Sequence, residues 1–120
     1  MPGEIPIRSV LEDGTIRWML PDGTLHREDG PAITQPVGTE IWYKNGLTHR
    51  EGAPAIQYPD GSRMWVVYDK THREDGPAVE WFNGKKEWWL NGFRQRLTEE
   101  LKVSHPVLYD QMLIYEVMEK

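Results

Sequence analysis

Three times along the chain a histidine, an arginine and one or two carboxylates fall within four residues: His26-Arg27-Glu28-Asp29, His49-Arg50-Glu51 and His72-Arg73-Glu74-Asp75. A general base, a guanidinium and acids in such proximity can support acid–base chemistry, provided that they converge on one substrate. Their spacing argues against convergence. With two strands per unit and ~4.8 Å between strands, equivalent histidines stand ~9 to 10 Å apart, too far to share a metal ion or a proton. Evenly repeated groups are expected to build scaffold: His to cap a turn, Arg to pair with an acid of its own or the next unit, Asp-Gly-Pro to shape a bend. On this reading the chain has no catalytic residue, no cofactor-binding residue or cofactor, and no metal ligand.

The composition narrows the rest. A chain of 120 residues makes one domain that buries roughly two-thirds of its unfolded surface. No cysteine is present, which excludes disulfides and thiolate metal sites and suits a reducing cytoplasm. The N-terminus Met1-Pro-Gly-Glu-Ile-Pro-Ile-Arg has no basic stretch leading into an apolar run, and no segment has the ~20 apolar residues of a membrane span. A net charge of −5 is wrong for a general phosphate-backbone binder, so no direct nucleic-acid partner is expected. Residues 97–120 carry five acids and two bases and form the acidic end. Six Trp and five Tyr are a heavy aromatic load for a domain this small, and such residues build cores and interface anchors.

The histidines open three in-register copies of a 23-residue unit, at His26, His49 and His72, preceded by a partial copy from Gly14 that carries one extra residue before His26. After Asn91-Gly92 the pattern decays, with Gln95-Arg96 standing where His-Arg would be. Terminal copies of repeat arrays are commonly atypical and act as caps. Turn signals recur at Asp13-Gly14, Asp22-Gly23, Asn45-Gly46, Asp60-Gly61, Asn83-Gly84 and Asn91-Gly92, with Asp69-Lys70 where a further Asn-Gly is expected. These predict type I′ hairpins and two strands per repeat. Alternation along the strands puts Trp18, Trp42, Trp65 and Trp88 in a ladder on one face, and the Pro-Ala steps open the second strands.

The tail from Leu97 reads as helical, with Thr98-Glu99-Glu100 as one start signal and Ser104-His105-Pro106 as a second. Ser104 is the expected N-cap of a helix from about His105 to Met118, with Leu108, Met112, Tyr115 and Met118 on one face beside Leu113 and Val117. An amphipathic helix here would lie back on the sheet as a lid or offer its apolar stripe to a partner. The predicted fold is mainly β: a repeat-built antiparallel β-hairpin sheet over 1–96, capped or covered by a C-terminal helical segment over 97–120.

The repeat resembles the MORN family, whose units each form a β-hairpin, and specifically the variant whose unit carries His-Arg-Glu-Asp-Gly-Pro-Ala, as at residues 26–32 and 72–78. The resemblance covers residues 13–96. It implies a scaffold fold and, because that variant is seen in bacteriophage, giant-virus and bacterial proteins, a phage or viral factor that binds or inhibits a host protein or defence complex in the host cytoplasm. It names no reaction.

The residues themselves favour a non-enzymatic protein-interaction module that displays aromatic and charged side chains. The expected partner-binding residues are Tyr43, Tyr58, Arg63, Tyr68, Trp81, Trp89 and Arg94. Lys85-Lys86 with Arg94 and Arg96 form a small basic cluster, which the acidic tail could neutralise or an acidic partner could meet. Two alternatives stand beside this: a small enzyme using His72-Arg73-Glu74-Asp75, and a structural protein that self-assembles into a homo-oligomer through a sheet edge or the C-terminal helix.

Overall fold

The computed structural model describes residues 4–119. Met1, Pro2, Gly3 and Lys120, which the division into 1–96 and 97–120 includes, lie outside the described residues.

Loop chemistry sets the register. Asn45 and Gly46 form a two-residue loop with φ of 50° and 84°, so both residues are left-handed as a type I′ hairpin requires, and Asn91-Gly92 does the same. In the second copy the loop is Tyr68-Asp69, between the paired residues Val67 and Lys70, and not the expected Asp69-Lys70. Tyr68, at φ 45°, has no glycine's freedom; its ring stacks on His49 with centroids 3.9 Å apart.

The other glycine pairs do not form type I′ turns. At Asp13-Gly14, Asp22-Gly23, Asp60-Gly61 and Asn83-Gly84 only the glycine has positive φ, and the loop holds three residues. The Asp or Asn side chain accepts the N–H two residues on, as in Asp60 Oδ1 with Ser62 at 2.8 Å. This is a type I turn closed by a left-handed glycine. The extra residue before His26 is thereby explained: Pro21-Asp22-Gly23 is a three-residue loop where later copies use two.

Each repeat holds four short strands where two are predicted: the Trp-bearing strand is broken in two, and a further short strand follows the type I′ loop. Strands β1 (Ile7–Val10), β2 (Ile16–Met19), β3 (Ile33–Thr34), β4 (Glu40–Ile41), β7 (Ile56–Gln57), β8 (Arg63–Met64), β11 (Val79–Glu80) and β12 (Lys86–Glu87) form one antiparallel meander. Beyond it project three hairpins: β5 (Tyr43–Lys44) with β6 (Leu47–Thr48), β9 (Val66–Val67) with β10 (Lys70–Thr71), and β13 (Trp89–Leu90) with β14 (Phe93–Arg94). The break falls at Trp42, Trp65 and Trp88. Each hands its carbonyl to the N–H seven residues on, at His49, His72 and Gln95, instead of continuing the ladder.

Pairing registers sort the sheet into two faces. One carries the Trp ladder, the fully buried Ala32, Ala55 and Ala78, and Glu40, Arg63, Glu80 and Lys86. The other carries Arg17, Ile33, Ile41, Ile56, Met64, Val79 and Glu87 in a row across the strands.

Two helices follow, α1 (Glu99–Ser104) and α2 (Pro106–Met118). Thr98 caps α1 as expected, its Oγ1 accepting the Leu101 N–H at 3.1 Å. Ser104 does not cap α2: His105 holds that position without a side-chain cap, and Ser104 Oγ lies 2.9 Å from His105 Nδ1. Leu101, Leu108 and Met112 bury themselves with Trp88 and Leu90, so the helices close the end of the array and do not lie as a lid along it. Nor is α2 amphipathic in the expected way. Leu113, Val117 and Met118 are exposed together with Val107 and Ile114, leaving apolar residues on its outer side as well.

Candidate functional site

The His-Arg-Glu-Asp groups are largely consumed by the scaffold. His26, His49 and His72 each use Nδ1 to accept the N–H of the type I′ loop residue 19 positions on, Asn45, Tyr68 and Asn91, at 2.9–3.1 Å. That N–H would otherwise be left without a partner at a tight turn. Arg27, Arg50 and Arg73 lie over the rings of Trp18, Trp42 and Trp65 at 4.2, 3.9 and 3.9 Å. Each also donates Nη1 to a proline carbonyl, of Pro31, Pro54 and Pro77. Arg27 and Arg73 further bind Asp29 and Asp75 through Nε, at 2.9 and 2.8 Å. The histidine that caps and the arginine that pairs with an acid of its own unit were both legible from the sequence; the guanidinium on the indole was not.

The second copy tests this arrangement naturally. A Cβ on Gly30 or Gly76 would stand 2.6 or 2.8 Å from the guanidinium carbon of Arg27 or Arg73. In the second copy an alanine, Ala53, fills that position, and the aspartate is replaced by Gly52 at φ 77°. Gly76→Ala is therefore expected to dislodge Arg73 and to cost about 1–2 kcal/mol in lost stacking and charge-assisted bonding. The double change Asp75→Gly, Gly76→Ala, which copies the second repeat, should recover part of that in urea denaturation. Equal losses in both would show that the backbone does not adapt as a unit.

Five of the seven expected partner-binding residues fall on the face opposite the Trp ladder: Tyr58, Trp81, Trp89 and Arg94 by strand alternation and pairing, and Tyr43 at the position equivalent to Trp89. The Tyr58 hydroxyl approaches Met64 Sδ at 3.9 Å on that side. Arg63 is not among them. It lies on the ladder face, ion-paired with Glu80, which Arg73 also approaches at 3.4 Å. Tyr68 sits apart in its turn, stacked on His49.

The centre of this face is a residue that sequence reasoning passed over. Glu87 accepts the indole N–H of Trp89 on Oε1 and that of Trp81 on Oε2, both at 2.9 Å. Burial raises its carboxyl pKa, but the two indole bonds and the charge of Arg94 outweigh it and hold the group below the ordinary glutamate range. The available signal was a carboxylate at a position that is Ile41 and Met64 in the earlier copies, with Trp on either side. Because the folded value is depressed, this contribution to stability is complete above the free glutamate pKa of about 4.3 and is lost as pH falls through the folded value. Tryptophan emission should therefore show a step below about pH 4.3 that Glu87→Gln lacks; the same step in the variant would assign it elsewhere.

Lys85 and Lys86 separate, Lys85 standing opposite Trp81 and Lys86 on the ladder face. Among the described residues no three His, Asp or Glu side chains gather to hold a metal ion, and no helix is long and apolar enough to cross a membrane.

Fold and site together define an antiparallel hairpin-repeat array with an aromatic face around one carboxylate, closed at its C-terminal end by helices. Compared with family models, curated proteins and solved structures, the chain matches none.

Proposed function

We propose that this chain is a non-enzymatic protein-interaction module that binds its partner through the face carrying Tyr43, Tyr58, Trp81, Trp89 and Arg94. The observation that carries the reading is the pinned pair of tryptophans. Trp81 and Trp89 share the Glu87 carboxylate, which holds large amphipathic rings in place before a partner arrives and lowers the ordering cost of binding. The resemblance to phage and giant-virus repeats makes a host protein the partner we favour.

The enzymatic alternative is weaker on this geometry. His72, Arg73, Glu74 and Asp75 line one groove of about 230 Å³, but His72 Nδ1 is held by the Asn91 N–H and Arg73 by Asp75, the Pro77 carbonyl and the Trp65 ring. Affinity capture of the tagged chain from cell lysate, run beside the Trp81→Ala, Trp89→Ala form, tests the proposal. One stoichiometric protein lost in the double variant is the expected result. Equal recovery by both forms would remove this face from the interaction.

A further inference from the structure

Arg96 stands 23 residues after Arg73, at the position whose arginine stacks on tryptophan in each earlier copy. Its tryptophan is already taken. Tyr115 of α2 meets the Trp88 ring edge-on at 5.3 Å, and the Trp88 indole N–H donates to Gln111 at 3.1 Å. Thr98 and Glu100 stand where Asp75 and Pro77 bind Arg73, so the aspartate has no counterpart and the carbonyl at the proline's position belongs to α1. The helix that caps the array has displaced the last arginine from the scaffold.

Arg96 lies instead on a cleft of about 770 Å³ between the end of the sheet and α2, with Lys86 and Arg94, over Leu97, Met112 and Tyr115. Among the described residues the Lys86 and Arg96 side chains have neither a hydrogen-bond nor an ion-pair partner. Among the described residues the acidic tail forms no ion pair with either. Glu87, which feels the charge of Arg94, and Glu116 border the cleft as well, but three cations face these two carboxylates in a chain of net charge −5.

We infer that this cleft receives an acidic peptide segment of the protein partner, carboxylates on Arg94, Arg96 and Lys86 and an apolar side chain on the Leu97, Met112 and Tyr115 floor. Guanidinium forks match carboxylates, and Arg96 has no internal bond to give up. The volume suits a chain segment better than a single small anion. Arg94 pairs across the hairpin with Trp89, so the cleft opens at the edge of the aromatic face. The inference rests on the protein-interaction reading and specifies the chemistry of what is bound.

The test is fluorescence anisotropy of a labelled Glu-Glu-Leu-Glu-Glu peptide with the full chain, beside its Gln-for-Glu counterpart. Saturable binding of the acidic peptide alone, weakened roughly tenfold by Arg96→Gln and by Arg94→Gln but not by Arg8→Gln on β1, is the expected result. The Arg96 side chain makes no hydrogen bond or ion pair among the described residues, so its variant should unfold as wild type does; a lowered urea midpoint for Arg96→Gln would show a structural role and overturn the assignment. No binding at millimolar peptide, or equal binding of the Gln form, overturns it too. So does Arg96-dependent binding of inorganic phosphate or phosphatidylserine vesicles without binding of the peptide. Peptide binding that survives Trp81→Ala, Trp89→Ala while lysate capture finds no partner would sink the aromatic face and leave the cleft standing. Capture that succeeds without peptide binding would sink only the cleft.

Discussion

Leu108→Ala is expected to destabilise the chain by about 2–5 kcal/mol and to loosen its C-terminal end before the rest. Leu108 is the largest fully buried side chain, and it packs with Trp88, Leu90, Leu101 and Met112. Removing it leaves a cavity at the contact between helices and array. Among the described residues three hydrogen bonds cross that contact: Tyr115 Oη accepts the Lys86 N–H, Gln111 accepts from Trp88, and Gln111 donates to the Asp75 carbonyl. The first of these occupies β12, the meander's last strand, whose outer edge would otherwise be open to another chain. A domain of this length has a total stability of roughly 6–15 kcal/mol, so the loss is a large share. Urea denaturation gives the size; amide exchange gives the place, with faster exchange over residues 86–118 than over the first repeats. A midpoint shift equivalent to less than about 1 kcal/mol would mean that the helices are accessory to the fold.

Much of the architecture was legible because repeat period and turn residues are local signals. Asn45-Gly46 and Asn91-Gly92 announce type I′ hairpins through their tolerance of positive φ. The same signal misled at Asp60-Gly61 and Asn83-Gly84. Loop length decides between turn types, and length follows from pairing across the strands, which residue identity alone does not reveal. Tyr68 in a left-handed position was hidden for a related reason: what supports it is His49, 19 residues away.

The helix shows a different limit. Its apolar periodicity located it within one residue but not its role, since a helix apolar on several sides looks amphipathic when only the buried face is sought. The expected partner-binding residues share one face only to the extent that strand alternation holds. Tyr58, Trp81, Trp89 and Arg94 follow it, while Arg63 is one residue out of phase with Met64 and therefore points to the other side. Glu87 was missed because a carboxylate gains its place there only from two indole donors, one of them on the neighbouring strand's loop.

Trp65→Ala is expected to cost about 3–5 kcal/mol and to do more than empty a space. Trp65 is buried, and two guanidiniums face its ring, Arg73 at 3.9 Å and Arg63 at 5.4 Å. Both arginines converge on Glu80, so removing the ring takes away the surface against which that charge cluster is ordered. Trp65 belongs to the second copy and its ring carries Arg73 of the third, so it joins the middle of the array to the capped end. Stability in repeat arrays is carried by interfaces between neighbours, so a fault in the middle should uncouple the halves and broaden the unfolding transition. Trp65→Phe keeps an aromatic face for Arg73 and should retain most of the cooperativity at a smaller cost. A sharp two-state transition in Trp65→Ala, with a loss no larger than in Trp65→Phe, would mean that the guanidinium–indole stack fills volume without coupling one repeat to the next.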